Sequence, residues 1–140
     1  MLINGACHCG QISFTAEVDP ARVVLCHCND CQVLSGSPFR AVAEAPIGTF
    51  NLHGSPKSYV FTQHRIQMAH AFCPECGTPL YATALENPAS VIIRLGCVEQ
   101  RAQLKPFIQI WQSSALPWLA ELATLPMSSE PPDFQPIPNQ

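Results

Sequence analysis

Residues 72–81 read FCPECGTPLY, and the pair Cys73 and Cys76 with Gly77 behind it is the stretch on which the fold turns. Two thiols at the ends of a Cys-x-x-Cys turn, followed by a glycine that enters conformations other residues resist, form half of a zinc knuckle. Zinc takes four ligands, so a single knuckle needs a second pair from elsewhere. GACHCG at residues 5–10 supplies Cys7 and Cys9. In an extended segment, residues two apart point the same way, so both sulfurs can face one metal while His8 faces the other side. The expectation is a closed structural site of Cys7, Cys9, Cys73 and Cys76 that ties the N-terminus to the middle of the chain. Its ligands meet only on folding, so metal binding there contributes folding energy.

A second group lies in LCHCNDCQVL, residues 25–34, where Cys26, Cys28 and Cys31 fall within six positions. Alternation brings Cys26 and Cys28 to one side, and Cys31 returns after a short turn. Three thiolates make a metal site with one corner left for water or substrate, as catalytic zinc sites have. The alternative is a second closed site completed by Cys97, His27, Asp30 or another residue. Three thiolates overcompensate the charge of Zn²⁺, which disfavours hydrolysis by a zinc-bound hydroxide. Sulfur-rich ligation instead suits a further thiol, and a coordinated thiol is deprotonated outright. An open central site would therefore capture a small thiol and present it as the nucleophilic thiolate. An iron–sulfur cluster fits less well, because it normally wants four protein thiolates.

Composition narrows the partners. The chain has 140 residues, 47% hydrophobic and 12% charged, with a formal net charge of −3, the profile of a single compact domain. The basic residues Arg22, Arg40, Lys57, Arg65, Arg94, Arg101 and Lys105 are scattered along the sequence. That pattern argues against a nucleic-acid surface. No apolar run approaches the roughly 18 residues of a membrane span. MLINGACHCG carries no basic region leading into a long apolar stretch, so a secretory signal is not expected. A cytoplasmic location, where thiols stay reduced, is the expectation. Eight cysteines could also be read as a disulfide scaffold, but the absence of an export signal and the closeness of the Cys-x-Cys pairs favour metal.

Short β-rich runs between turn signals fill the front two-thirds of the chain: QISFTAEV, RVVLCHC, FRAVAEA, KSYVFT and SVIIRL. GSPKSY and ENPAS read as turns. One helix is expected in SSALPWLAELATLP, with Ser114 as cap, Leu116, Leu119 and Leu122 at three-residue spacing, Pro117 in the first turn and Pro126 as a stop. A domain over residues 1–126 is followed by a Pro-rich, extended or disordered tail over 127–140. His27, between two ligands, points away from their metal. His53 and His64 have no motif context. Cys97 reads as a small buried hydrophobe, and Trp111 and Trp118 as packing residues.

With these residues assembled, the chain resembles the glutathione-dependent formaldehyde-activating enzyme family, which shares its domain with centromere protein V. The resemblance rests on GACHCG, CHCNDC, Gly36, GSPKSY, FCPECGTPLY and IWQSSALPW, and runs from about Gly5 to Pro126. It implies a mainly β, Mss4-like fold whose sheets wrap two zinc sites, with a short C-terminal helix. It also implies a structural zinc on Cys7, Cys9, Cys73 and Cys76 and a catalytic zinc on Cys26, Cys28 and Cys31. The implied activity is a carbon–sulfur lyase reaction that joins glutathione to formaldehyde, giving S-hydroxymethylglutathione. At four positions the chain departs from the family pattern. Gln32 stands where Arg often follows the triplet, His70 where Arg usually precedes the knuckle, GCVEQ where G-x-L-D is common, and Gln109 where His often precedes the Ile-Trp pair. Arg40 and Lys57 are the basic residues nearest the family-like segments and receive no role. A non-catalytic module that carries glutathione or a partner is the alternative reading, and a purely structural two-zinc domain is a third.

Overall fold

A computed structural model describes residues 1–61 and 67–131. His64 and the last nine residues of the expected tail lie outside the described residues. Ten strands run through the described chain: β1 (Leu2–Ala6), β2 (Ser13–Glu17), β3 (Val23–Cys26), β4 (Arg40–Pro46), β5 (Asn51–His53), β6 (Lys57–Phe61), β7 (Met68–Phe72), β8 (Pro79–Ala84), β9 (Ser90–Arg94) and β10 (Ile108–Ile110). The five runs expected as strands correspond to β2, β3, β4, β6 and β9.

The strands form two sheets. The smaller has the order β1-β2-β5 and the larger β10-β3-β4-β9-β8-β7-β6. Pairing is antiparallel except between β10 and β3, which run parallel. Period-two burial explains how the sheets stack. Ile3 on β1 and Phe14 and Ala16 on β2 turn inward against Val23, Ala43, Ala45, Val91 and Ile93 of the large sheet. Phe14 touches Phe50 at 5.4 Å between ring centroids, and Phe50 meets Tyr81 edge-on at 4.8 Å. These rings carry the inter-sheet core from one layer to the other. The opposite face of the large sheet holds Cys26, Arg40 and Arg94, and the central chemistry lies there.

The expected C-terminal helix is present, but as a 3-10 helix over Pro117–Thr124. Its three-residue period is the spacing of Leu116, Leu119 and Leu122. Ser114 does not cap it: Ser114 closes a separate turn over Gln112–Ser114, and Leu116 takes the cap position. Residues 127–131 are exposed. No helix among the described residues is long and apolar enough to cross a membrane.

A candidate metal centre in two parts

Cys7 and Cys9 do not lie on an extended segment. They occupy the turn that joins β1 to β2, closed by hydrogen bonds from the Gly10 amide to the Cys7 carbonyl (3.0 Å) and from the Cys7 amide to the Ile12 carbonyl (2.9 Å). The turn brings the sulfurs to one side more tightly than strand alternation would, with Cys7 Sγ and Cys9 Sγ 3.4 Å apart. Cys73 and Cys76 occupy the turn between β7 and β8. There Gly77 adopts φ +71 and its amide donates to the Cys73 carbonyl at 2.9 Å, the left-handed step that glycine makes without steric cost. The two hairpin turns meet where Cys9 Sγ lies 3.7 Å from Cys73 Sγ and the His8 amide donates to Thr78 Oγ1 at 3.1 Å.

All four sulfurs fall within 4.8 Å of one another. Tetrahedral zinc with bonds of about 2.3 Å separates its sulfurs by about 3.8 Å, so the cage fits. Burial opposes thiolate at Cys7, but the Ile12 amide, 3.3 Å from its Sγ, and the neighbouring Cys9 and Cys73 thiols lower it overall, while Cys9 is pushed up to about 12. The Thr78 hydroxyl and amide pull the Cys76 thiol down to about 5.

The central group is assembled locally. Cys26 ends β3, and Cys28 caps a helix, α1 (Asn29–Ser35), that stands where a short turn was expected. Cys28 Sγ accepts from the Cys31 amide at 3.4 Å. Cys31 lies in the first turn, and Gly36 ends the helix with φ +60. Cys26 and Cys28 have sulfurs 3.5 Å apart, and the three sulfurs form one group within 4.8 Å. No fourth His, Cys, Asp or Glu atom joins this group among the described residues. Burial pushes the Cys31 thiol up, with the neighbouring Cys26 adding to it and Arg40 opposing it. Burial likewise raises Cys26.

The other candidates resolve as follows. His27 faces away from the sulfurs: it is 2% exposed, its Nε2 bonds Gln109 Oε1 at 2.9 Å, and its ring lies 5.8 Å from that of Phe39. Cys97 is outside both groups. Its thiol donates to the Arg94 carbonyl at 3.0 Å, and burial pushes it up to about 11. Gln32 and Gln109, the two glutamines at family-variant positions, brace the central loop. Gln32 Nε2 donates to the His27 carbonyl (2.7 Å) and the Ser114 carbonyl (2.9 Å), and Gln109 holds the His27 ring.

Two residues that sequence reading left without a role flank the triplet. Arg40 and Arg94 are 5% and 7% exposed. Arg40 is the register partner of Cys26 on β3, and Arg94 the partner of Val42 two residues along β4. Arg94 lines a 360 Å³ cavity together with Cys26, Cys31, Val42 and Phe107. Strand register brings these residues together, so no linear spacing signals it.

Comparison with known proteins follows the same lines. The family model for "Glutathione-dependent formaldehyde-activating enzyme" matches residues 2–114. The chain belongs to this family. A curated relative, "Uncharacterized lyase C29B12.13" of Schizosaccharomyces pombe, is 27% identical over 78 residues, covering 56% of this chain and 55% of the relative. The chain thus spans about half the length of that relative. A crystal structure of a Rhodobacter sphaeroides protein, a Northeast Structural Genomics target, superposes with a TM-score of 0.60 at 21% identity, covering 76% of this chain and 98% of that one. That likeness concerns the fold. Two β-sheets with cysteine groups able to hold zinc agree with the Mss4-like architecture. Cysteine groups of four and three that could hold metal ions fit a zinc-binding protein of this family.

Proposed function

We propose that the protein is a zinc-dependent carbon–sulfur lyase-type enzyme of the S-(hydroxymethyl)glutathione synthase kind, adding a glutathione-like thiol to formaldehyde or a related aldehyde. The supporting observation is the division of seven thiols into a group of four and a group of three. The four, Cys7, Cys9, Cys73 and Cys76, would hold a structural zinc with every corner filled by protein. Cys26, Cys28 and Cys31 would hold the second zinc and leave one corner to the substrate. When bound there, zinc supplies the Lewis acidity that keeps an incoming thiol deprotonated at neutral pH. The chain's own contribution is placement. Strand β3 and the first turn of α1 fix the three sulfurs, and the neighbouring apolar wall of Val24, Val42, Ile92 and Ile110 limits water at the reacting sulfur. Addition forms one sulfur–carbon bond, turns the aldehyde C=O into C–OH, and moves the thiol proton to that oxygen.

The test uses Cys28→Ser, which keeps an oxygen to cap α1 while removing a thiolate. Metal analysis should fall from two zincs per chain to one, with the far-UV spectrum unchanged. Hydroxymethyl-thiol formation, followed by NMR exchange of labelled formaldehyde, should drop to the uncatalysed rate. Two zincs and full activity in that variant would refute the assignment. Tight glutathione binding without any acceleration in the wild type would instead favour a carrier module.

A further inference from the structure

The outer face of the large sheet is apolar where contact with water would call for polar groups. An antiparallel sheet with one face on the core alternates apolar inside with polar outside. Strand β2 does so: Phe14 and Ala16 turn inward, and Ser13, Thr15 and Glu17 take the outward positions. On β3, β4 and β9 the core takes Val23, Ala43, Ala45, Val91 and Ile93. The alternate positions point to the other face, and there stand Val24, Val42 and Ile92, all half-buried. Strands β3 (VVLC) and β9 (SVIIR) thus carry the continuous apolar run of strands covered on both sides.

These three side chains line the 360 Å³ cavity that also holds Cys26, Cys31 and Ile110. Strand register gives the cavity its length. Cys26 pairs with Arg40 at one end, and Glu44, the partner of Ile92, lies four residues along β4 at the other. At about 3.3 Å per residue, the floor runs about 13 Å from the sulfur end. The charged groups on its rim already have partners. Arg22 Nη2 meets Glu44 Oε2 at 2.9 Å, and Arg94 donates from Nη2 to His70 Nδ1 at 2.9 Å. Between them the floor is hydrocarbon. Formaldehyde has two heavy atoms, and one water's share of liquid volume is about 30 Å³. Formaldehyde alone would leave most of this cavity unfilled.

We infer that this cavity receives a neutral apolar substituent of several carbons carried by one of the two reactants, so that the substrates of this site include an alkyl thiol or an alkyl aldehyde. The inference rests on the thiol-binding reading above and adds to it the character of the group attached to the reacting centre. Seating such a chain on Val24, Val42 and Ile92 removes apolar surface of both chain and sheet from water. It also leaves the reacting end at Cys26 and Cys31. A second copy of the protein over the same face is the other way to bury it, and it predicts another pattern.

The experiment is calorimetric titration of the zinc-loaded protein with ethanethiol and with 1-butanethiol. Each buried methylene should tighten binding about fourfold, so butanethiol should bind about tenfold tighter or more. Val42→Phe fills the cavity with a residue that suits a strand, and should bring that ratio to about twofold or less. Val42→Thr keeps the shape, adds a hydroxyl and should lower the ratio partway, which controls for misfolding of the first variant. The ratio is the readout, so a general loss of metal or thiol affinity does not imitate the result. Equal binding of the two thiols by the wild type assigns the chain to the carbonyl partner. Butyramide, an unreactive carbonyl of that length, should then bind the ethanethiol-loaded protein about tenfold tighter than acetamide, and not in Val42→Phe. Chain dependence absent from both series, or undiminished in both variants, would overturn the inference. So would a dimer in sedimentation that Val42→Phe dissociates, since it places a second copy on this face. Should no thiol reach the metal, the functional reading fails by itself. Butyramide against acetamide on the zinc-loaded protein then decides the cavity: a preference lost in Val42→Phe upholds it, and equal binding overturns it.

Discussion

Cys9 and Cys73 stand 64 positions apart with sulfurs 3.7 Å apart, whereas Cys26, Cys28 and Cys31 lie within six consecutive residues. The first group is made by topology. Two hairpin turns, one from each sheet, come together only when both sheets have formed, so a metal bound there draws its affinity from the whole fold. The second group is made by one strand end and one helical turn. It could gather around a metal with little of the rest in place, and its three sulfurs are one short of the four ligands zinc takes. Sequence separation thus distinguishes a staple from a platform, and ligand count agrees with it.

Breaking the staple should have the largest effect. Cys73→Ser removes a fully buried thiol from the four-sulfur group that joins the β1–β2 and β7–β8 turns. Structural zinc contributes on the order of 10 kcal/mol in small metal-dependent domains, about as much as the total stability of a typical domain. Cys73→Ser should therefore lose cooperative unfolding in chemical denaturation, while Cys28→Ser keeps it. A Cys73→Ser protein that unfolds at the wild-type midpoint would erase the distinction between the two groups.

A finer test concerns the brace on the platform. Gln32 ties α1 to the His27 and Ser114 carbonyls, whereas the hairpin turns are joined to each other through the His8 amide and Thr78 Oγ1. Gln32→Ala removes two neutral hydrogen bonds, worth about 1–2 kcal/mol together. Amide exchange should accelerate over Cys26–Gly36 and around Ser114 and stay unchanged over Cys73–Gly77. Uniform acceleration would mean that the two halves share one opening unit.

The legible part of this molecule follows the same division. Cys-x-x-Cys-Gly and Cys-x-Cys are local signatures, and β-branched alternation marks β2, β3, β4, β6 and β9. Strands β7 (MAHAF) and β8 (PLYATA) were hidden because alanines interrupt them and Thr83 is their one β-branched residue. They are interior strands, β7 paired with β6 and β8 and β8 with β7 and β9, so pairing overrides propensity. Helix α1 was hidden because cysteine is an unusual cap, here supported by a sulfur that accepts the Cys31 amide. Arg40 and Arg94 looked scattered because 54 positions separate them. Only the antiparallel register of β4 and β9 brings them together, and register is set by the buried face, not by the arginines.

The smallest expected effect is a pH dependence on the central side alone. His70 ordinarily titrates near 6.5, and burial with Arg94 and Arg40 brings it to about 4. Between those values the unfolded chain takes up a proton that the folded chain refuses, so stability rises with pH across that window. The contribution is complete above pH 6.5 and is lost as pH falls toward 4. Because His70 is only half-buried, solvent screening keeps the effect modest. Urea midpoints of the zinc-loaded protein should fall between pH 7 and pH 5, and His70→Gln, whose amide oxygen can still accept from Arg94, should flatten that slope. Parallel slopes for wild type and His70→Gln would show that His70 is exposed to protons in the folded state and that Arg94 is held by other means.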